Sequence, residues 1–106
     1  MDDNAVIIAD LDGVIRFWSP GAETAFGHPA ERAVGRTLDL IVPPEFRESH
    51  WAGFRRALAT GAAEAEGQRT PFPVLHASGG VEEQPGRLTL VRQPQGRVIA
   101  AMVVFE

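Results

Sequence analysis

A chain of 106 residues with 44% hydrophobic and 23% charged positions has apolar material for one buried core but too little length for two. All ten cations are arginine, and with 14 acidic residues the formal charge is −4, which argues against nucleic acid because phosphate contacts need clustered Lys and Arg. The absence of cysteine excludes disulfides, thiolate metal centres and cysteinyl-flavin photochemistry.

Ala5 to Ala9 is expected as a short buried strand and Val14 to Trp18 as its partner, joined by the turn Asp10-Leu11-Asp12-Gly13. The run VIIADLDGVI also resembles the nucleophile loop of haloacid-dehalogenase-type phosphatases. There, the residues matching Asp10 and Asp12 attack phosphorus and handle a proton beside magnesium. That chemistry needs a parallel sheet, a cationic phosphate clamp and a downstream acidic pair. The chain is too short for that fold, has no Lys, and offers only Glu82-Glu83 in a strand-turn region. Asp10 and Asp12 are therefore read as turn residues, and no enzymatic activity is expected.

SPGAETAFG contains a helix start, with Ser19 as cap, Pro20 at the first helical position and Glu23 early enough to favour the helix dipole. Phe26-Gly27 ends it. HPAERAVG reads as a single helical turn from Pro29 to Gly35. Pro43-Pro44 opens the longest helical segment, stopped by Gly61. Phe46, His50, Phe54 and Leu58 recur on it every four residues, flanked by Trp51 and Ala57. Three further strands are expected at about Ala65 to His76, Arg87 to Gln93 and Arg97 to Phe105, with turns at Ser78-Gly79-Gly80 and Pro94-Gln95-Gly96. This order implies an α+β fold, a five-stranded antiparallel sheet with helices on one face. No apolar run approaches the roughly 20 residues that span a bilayer. The opening Met-Asp-Asp-Asn has the wrong charge for a secretory signal, so a cytoplasmic location is expected.

DGVIRFWSPGAETAFGH and AVGRTLDLIVPPEF resemble the PAS domains, from Ile7 to Phe105. The resemblance implies a single PAS sensor domain over residues 1–106. It further implies a small ligand or none, and signalling to a second copy or an attached output domain. FRESHWAGFRRALATG is similar to the haem-binding helix of the rhizobial oxygen-sensor histidine kinases. It carries His50 onto the proximal iron ligand and Arg56 onto a residue that pairs with a haem propionate. Leu88 and Leu90 fall where that family covers the distal face, and Phe54 joins the cofactor-facing set. The implied function is a haem-based gas or redox sensor. The alternative is a haem-free PAS domain acting in dimerisation or small-molecule binding.

The physical reading of His50 stands beside this. Its place between Phe46 and Phe54 directs it inward, where an unpaired polar group costs roughly 1–3 kcal/mol. Iron satisfies one nitrogen of a neutral imidazole, and a carbonyl or water the other. A structural His, bonded to backbone or merely at the rim of the stripe, is the alternative. The sequence departs from the kinases at the strand Arg that reaches bound oxygen. That position is Thr70 here, with Arg69 one residue earlier and so on the opposite face. Two apolar residues before Gly67 in that family correspond to Ala65 and Glu66, placing a Glu near the haem edge. Met102 is a candidate sixth ligand but more simply core packing. His28 and His76 show no ligand spacing with His50. Trp18 and Trp51 are read as core, and Ser19, Ser49 and Ser78 lack the setting of a nucleophile.

Overall fold

In the computed structural model, which describes residues 4–106, the chain forms a five-stranded sheet in the order β2-β1-β5-β4-β3. The strands are β1 (Ala5–Ala9), β2 (Ile15–Trp18), β3 (Arg69–Leu75), β4 (Val81–Arg92) and β5 (Val98–Phe105), and every pairing is antiparallel. Three helices, α1 (Pro20–Phe26), α2 (Ala30–Ala33) and α3 (Arg47–Thr60), lie between β2 and β3. Strand β5 is central, so the chain's two ends meet there: Ala5 pairs with Phe105.

Local chemistry explains the element ends. Ser19 caps α1 by accepting the Ala22 N–H at 3.2 Å, and its hydroxyl also accepts the Val6 N–H at 2.8 Å, tying helix to sheet. Gly27 and Gly61 end α1 and α3 in the left-handed region that glycine adopts without a Cβ penalty. The core centres on Phe26, whose ring meets Phe105 edge-on at 5.1 Å and Trp18 at 6.0 Å. Strand alternation turns Ile7, Leu90, Ala101 and Phe105 towards the helices.

Three boundaries differ from those expected. Pro44–Phe46 forms a separate 3-10 turn, and the α-helix starts only at Arg47. Strand β3 starts at Arg69 rather than Ala65, because the chain turns through left-handed Ala65 and Gly67. Strand β4 starts at Val81, so Glu82, Glu83, Pro85 and Gly86 are strand residues. Prolines are tolerated here because β3 is an edge strand. The Pro85 carbonyl accepts the Glu106 N–H on the β5 side, so the facing Pro71 and Pro73 turn their backbone to the open edge, where a missing donor empties no rung.

Candidate functional site

Between α3 and the inner face of the sheet lies a cavity of about 460 Å³, within the roughly 300–1,000 Å³ usual for small-molecule sites. His50, Phe54 and Ala57 of α3 form one wall, and Leu88, Leu90, Ala101 and Val103 of the sheet form another. The stripe expected on α3 is therefore present but only half-buried, since it borders open space rather than packed side chains. Phe46 is 43% exposed for the same reason.

His50 is held edge-on to Trp51 with ring centroids 4.9 Å apart, and it lies 6.1 Å from the Phe54 ring. Trp51 in turn donates its indole N–H to Asp39 Oδ1 at 2.8 Å. The His50 Nδ1 is enclosed with no hydrogen-bond partner among the described residues. Burial lowers the His50 pKa, with the Asp39 charge acting weakly against it, so the ring is neutral at neutral pH. A neutral imidazole carries a ring-nitrogen lone pair of the kind that binds metals. Among the described residues no group of three or more His, Cys, Asp or Glu side chains converges as a metal site. A lone His suits a metal whose remaining ligands come from a macrocycle. The cavity, the ring and the apolar walls thus fit a haem.

All five residues expected to face a cofactor, His50, Arg56, Phe54, Leu88 and Leu90, border this one cavity. Arg56 is exposed at its edge and makes no ion pair among the described residues. The other candidates go elsewhere. Arg69 donates to Glu106 Oε2 at 2.9 Å and does not line the cavity, and no bulge interrupts the β3–β4 register to bring it round. Met102 sits between Ala101 and Val103, both cavity-lining, so alternation sends it to the outer face. Glu66 turns away from the cavity to Arg92. His28 and His76 flank Trp18 and Phe26 in the core region, away from His50. Asp10 is a turn residue: its Oδ1 accepts the Asp12 and Val14 N–H groups and its Oδ2 holds Arg16 at 2.8 Å. Burial alone would raise its pKa, but those bonds outweigh it and hold the carboxyl below its ordinary range.

Sequence reasoning missed Phe72, Val74, Ile41 and Val42 as lining residues. The alternation of Thr70, Phe72 and Val74 carries the signal for β3, whereas Ile41 and Val42 lie in an irregular connection with no period to read.

A sequence profile of the PAS fold matches residues 2–106. An uncharacterized protein of Azorhizobium caulinodans is 35% identical over 103 residues, covering 94% of this chain and 14% of its own length. The oxygen sensor protein DosP of Escherichia coli K12 is 33% identical over 63 residues, which is 59% of this chain and 8% of DosP. The chain thus spans a small part of the curated relatives it matches. Among solved structures, a PAS domain from Colwellia psychrerythraea superposes with a TM-score of 0.80 at 20% identity, over 97% of this chain and 84% of that one. The PAS domain of the Cronobacter turicensis quorum-sensing receptor RpfR, in complex with BDSF, gives 0.77 at 13% identity, over 99% and 93%. At such identities these structures speak for the fold alone. With the family profile spanning nearly every residue and the sheet order and helices matching, the chain belongs to the PAS fold family and is a PAS sensory domain.

Proposed function

We propose that this PAS domain is a haem-based gas or redox sensor in which His50 is the only protein ligand to iron. The observation that supports the reading is that His50, a neutral imidazole whose enclosed Nδ1 has no hydrogen-bond partner among the described residues, lines an apolar cavity. Haem, when bound, supplies the iron that meets the gas or changes redox state. The protein's part is to hold and shield it. Trp51 and Phe54 pack against the His50 ring, Leu88 and Leu90 would exclude water from the facing wall, and Arg56 would pair with a propionate. Similarity to DosP, named as an oxygen sensor, supports the reading over part of the chain. The outer sheet face, which carries Val6, Ile8, Phe17, Met102 and Val104 in one register, would pass the signal to a second copy or an output domain in the cytoplasm. The test is absorbance after incubation with hemin. A Soret band is expected for the native chain, to be lost in His50→Ala and weakened in Arg56→Ala. A well-folded protein that stays colourless overturns the reading.

The second reading is a haem-free domain that binds an amphipathic small molecule or acts in dimerisation. The RpfR PAS domain has been solved with BDSF and with C12:0, and Arg56, beside an apolar cavity and without an ion pair among the described residues, suits an acid with an apolar body. A colourless protein carrying an organic ligand detectable by native mass spectrometry favours it.

A further inference from the structure

The connection from Gly61 to Gly67 closes one side of the cavity, with Ala62, Ala63 and Glu64 in its wall. Its apolar tether is small: Ala63 rests on the cluster of Ala57, Leu90 and Ala101. Polar bonds to β4 do most of the holding. Glu66 Oε2 accepts the Leu90 N–H and Arg92 Nη1, each at 2.9 Å, while Oε1 accepts Arg92 Nη2 at 2.8 Å. The same Nη2 reaches back to the Gly61 carbonyl at 3.0 Å, so one guanidinium grips both ends of the connection. The Gly67 N–H donates to the Leu88 carbonyl at 2.8 Å. These bonds sit where β3 has stopped pairing with β4, beyond Arg87. Without them the edge of β4 at Leu88 and Leu90 would stand open beside the cavity.

Glu66 and Arg92 do not line the cavity themselves. The connection also contains the only non-glycine residue with positive φ among those described, Ala65 at φ 60°, a conformation that stores strain. We propose that Gly61–Gly67 is a strap across the cavity entrance, latched by the Glu66–Arg92 pair, which sets how fast a ligand enters and leaves. This rests on the cavity binding a small ligand, haem or an amphipathic molecule, and not on that ligand being haem. The latch stays charged at neutral pH, because the bonds from Arg92 first and then from the Leu90 N–H hold the Glu66 carboxyl at about 2. A residue that touches the strap but not the ligand changes the barrier and leaves the bound state alone.

Glu66→Gln tests this, since the amide keeps an acceptor for Leu90 and removes the charge facing Arg92. The probe is the fluorescent apolar anion 1-anilinonaphthalene-8-sulfonate in stopped flow. Association and dissociation are both expected to quicken about tenfold in Glu66→Gln and Arg92→Gln, with Kd within about twofold of native. Arg69→Gln breaks an ion pair outside the cavity and should leave both rates alone. Unchanged rates, or a faster dissociation matched by an equal rise in Kd, overturn the proposal. Amide exchange of the unliganded protein reads the latch without any probe. Gly67 and Leu90 should exchange about tenfold faster in Glu66→Gln while Ile7 and Val103 hold, and equal protection at all four overturns it. A chain that stays colourless with hemin but shows these changes loses the haem reading and keeps the strap.

Discussion

His50 lines the cavity, and its environment makes a prediction about the unliganded protein. Burial depresses its folded pKa below the ordinary 6.5, and His28 is depressed too, by burial first and then by Arg36 and Arg32. The unfolded chain therefore binds more protons as pH falls below 6.5. Stability is full above that value and is lost as pH falls from it towards the folded pKa. The urea midpoint should drop between about pH 7.5 and 5.5, and His50→Phe should flatten the drop, leaving the part due to His28. A slope identical to native in His50→Phe contradicts the burial argument. The resemblance singled out His50 and Arg56, and both border the cavity, but Glu66 shows the limit of reading one residue at a time. A Glu three positions from Arg69 gives no sign that its partner is Arg92, on another strand.

At the scale of elements, the turn between β1 and β2 and helix α3 depend on each other. Gly13 has φ 76°, and a Cβ there would overlap the Trp51 ring. The close approach lets Trp51 reach Asp39 and brace His50 from the far side. Gly13→Ala should cost about 1–3 kcal/mol in urea unfolding, from backbone strain and the displaced ring. Trp51 emission should shift as its Asp39 bond is lost. A variant as stable as native would mean that α3 moves away without cost. The Asp-Gly pair announced the turn, and Ser19-Pro20 announced α1, because capping and left-handed φ are satisfied within a few residues. The start of β4 is hard to read because Glu, Pro and Gly are poor strand formers, whereas in the sheet Pro85 lies just beyond the Gly86–Phe105 pair that ends the β4–β5 ladder, and the Gln84 side chain donates to the Glu106 carbonyl there.

Across the whole molecule, stability rests on β5 joining the two ends of the chain. Phe105 is 4% exposed and meets Phe26 at 5.1 Å and Phe72 at 6.0 Å, so it joins helix α1 to both halves of the sheet. Phe105→Ala should cost about 3–5 kcal/mol. Against the roughly 5–15 kcal/mol of a typical domain, that brings the variant close to unfolding on mild heating. Calorimetry checks this, and a melting temperature within a few degrees of native would show that the three rings do not share one core. No helix among the described residues is long and apolar enough to cross a membrane, in keeping with an acidic chain whose longest helix borders a cavity.

Local sequence carries the kinds of element and their order, the Asp10–Gly13 turn, the stops of α1 and α3 at Gly27 and Gly61, and the outward face of Arg69. Each of these follows from forces acting over a few residues: capping bonds, positive φ, and a side-chain period of two. The folded arrangement sets that β1 lies beside β5, that an open cavity stands behind the α3 stripe, and that Glu66 closes on Arg92. Those depend on which distant backbone edges and charges come to face one another. That is set when the sheet closes on its helices, and no local stretch of sequence encodes it.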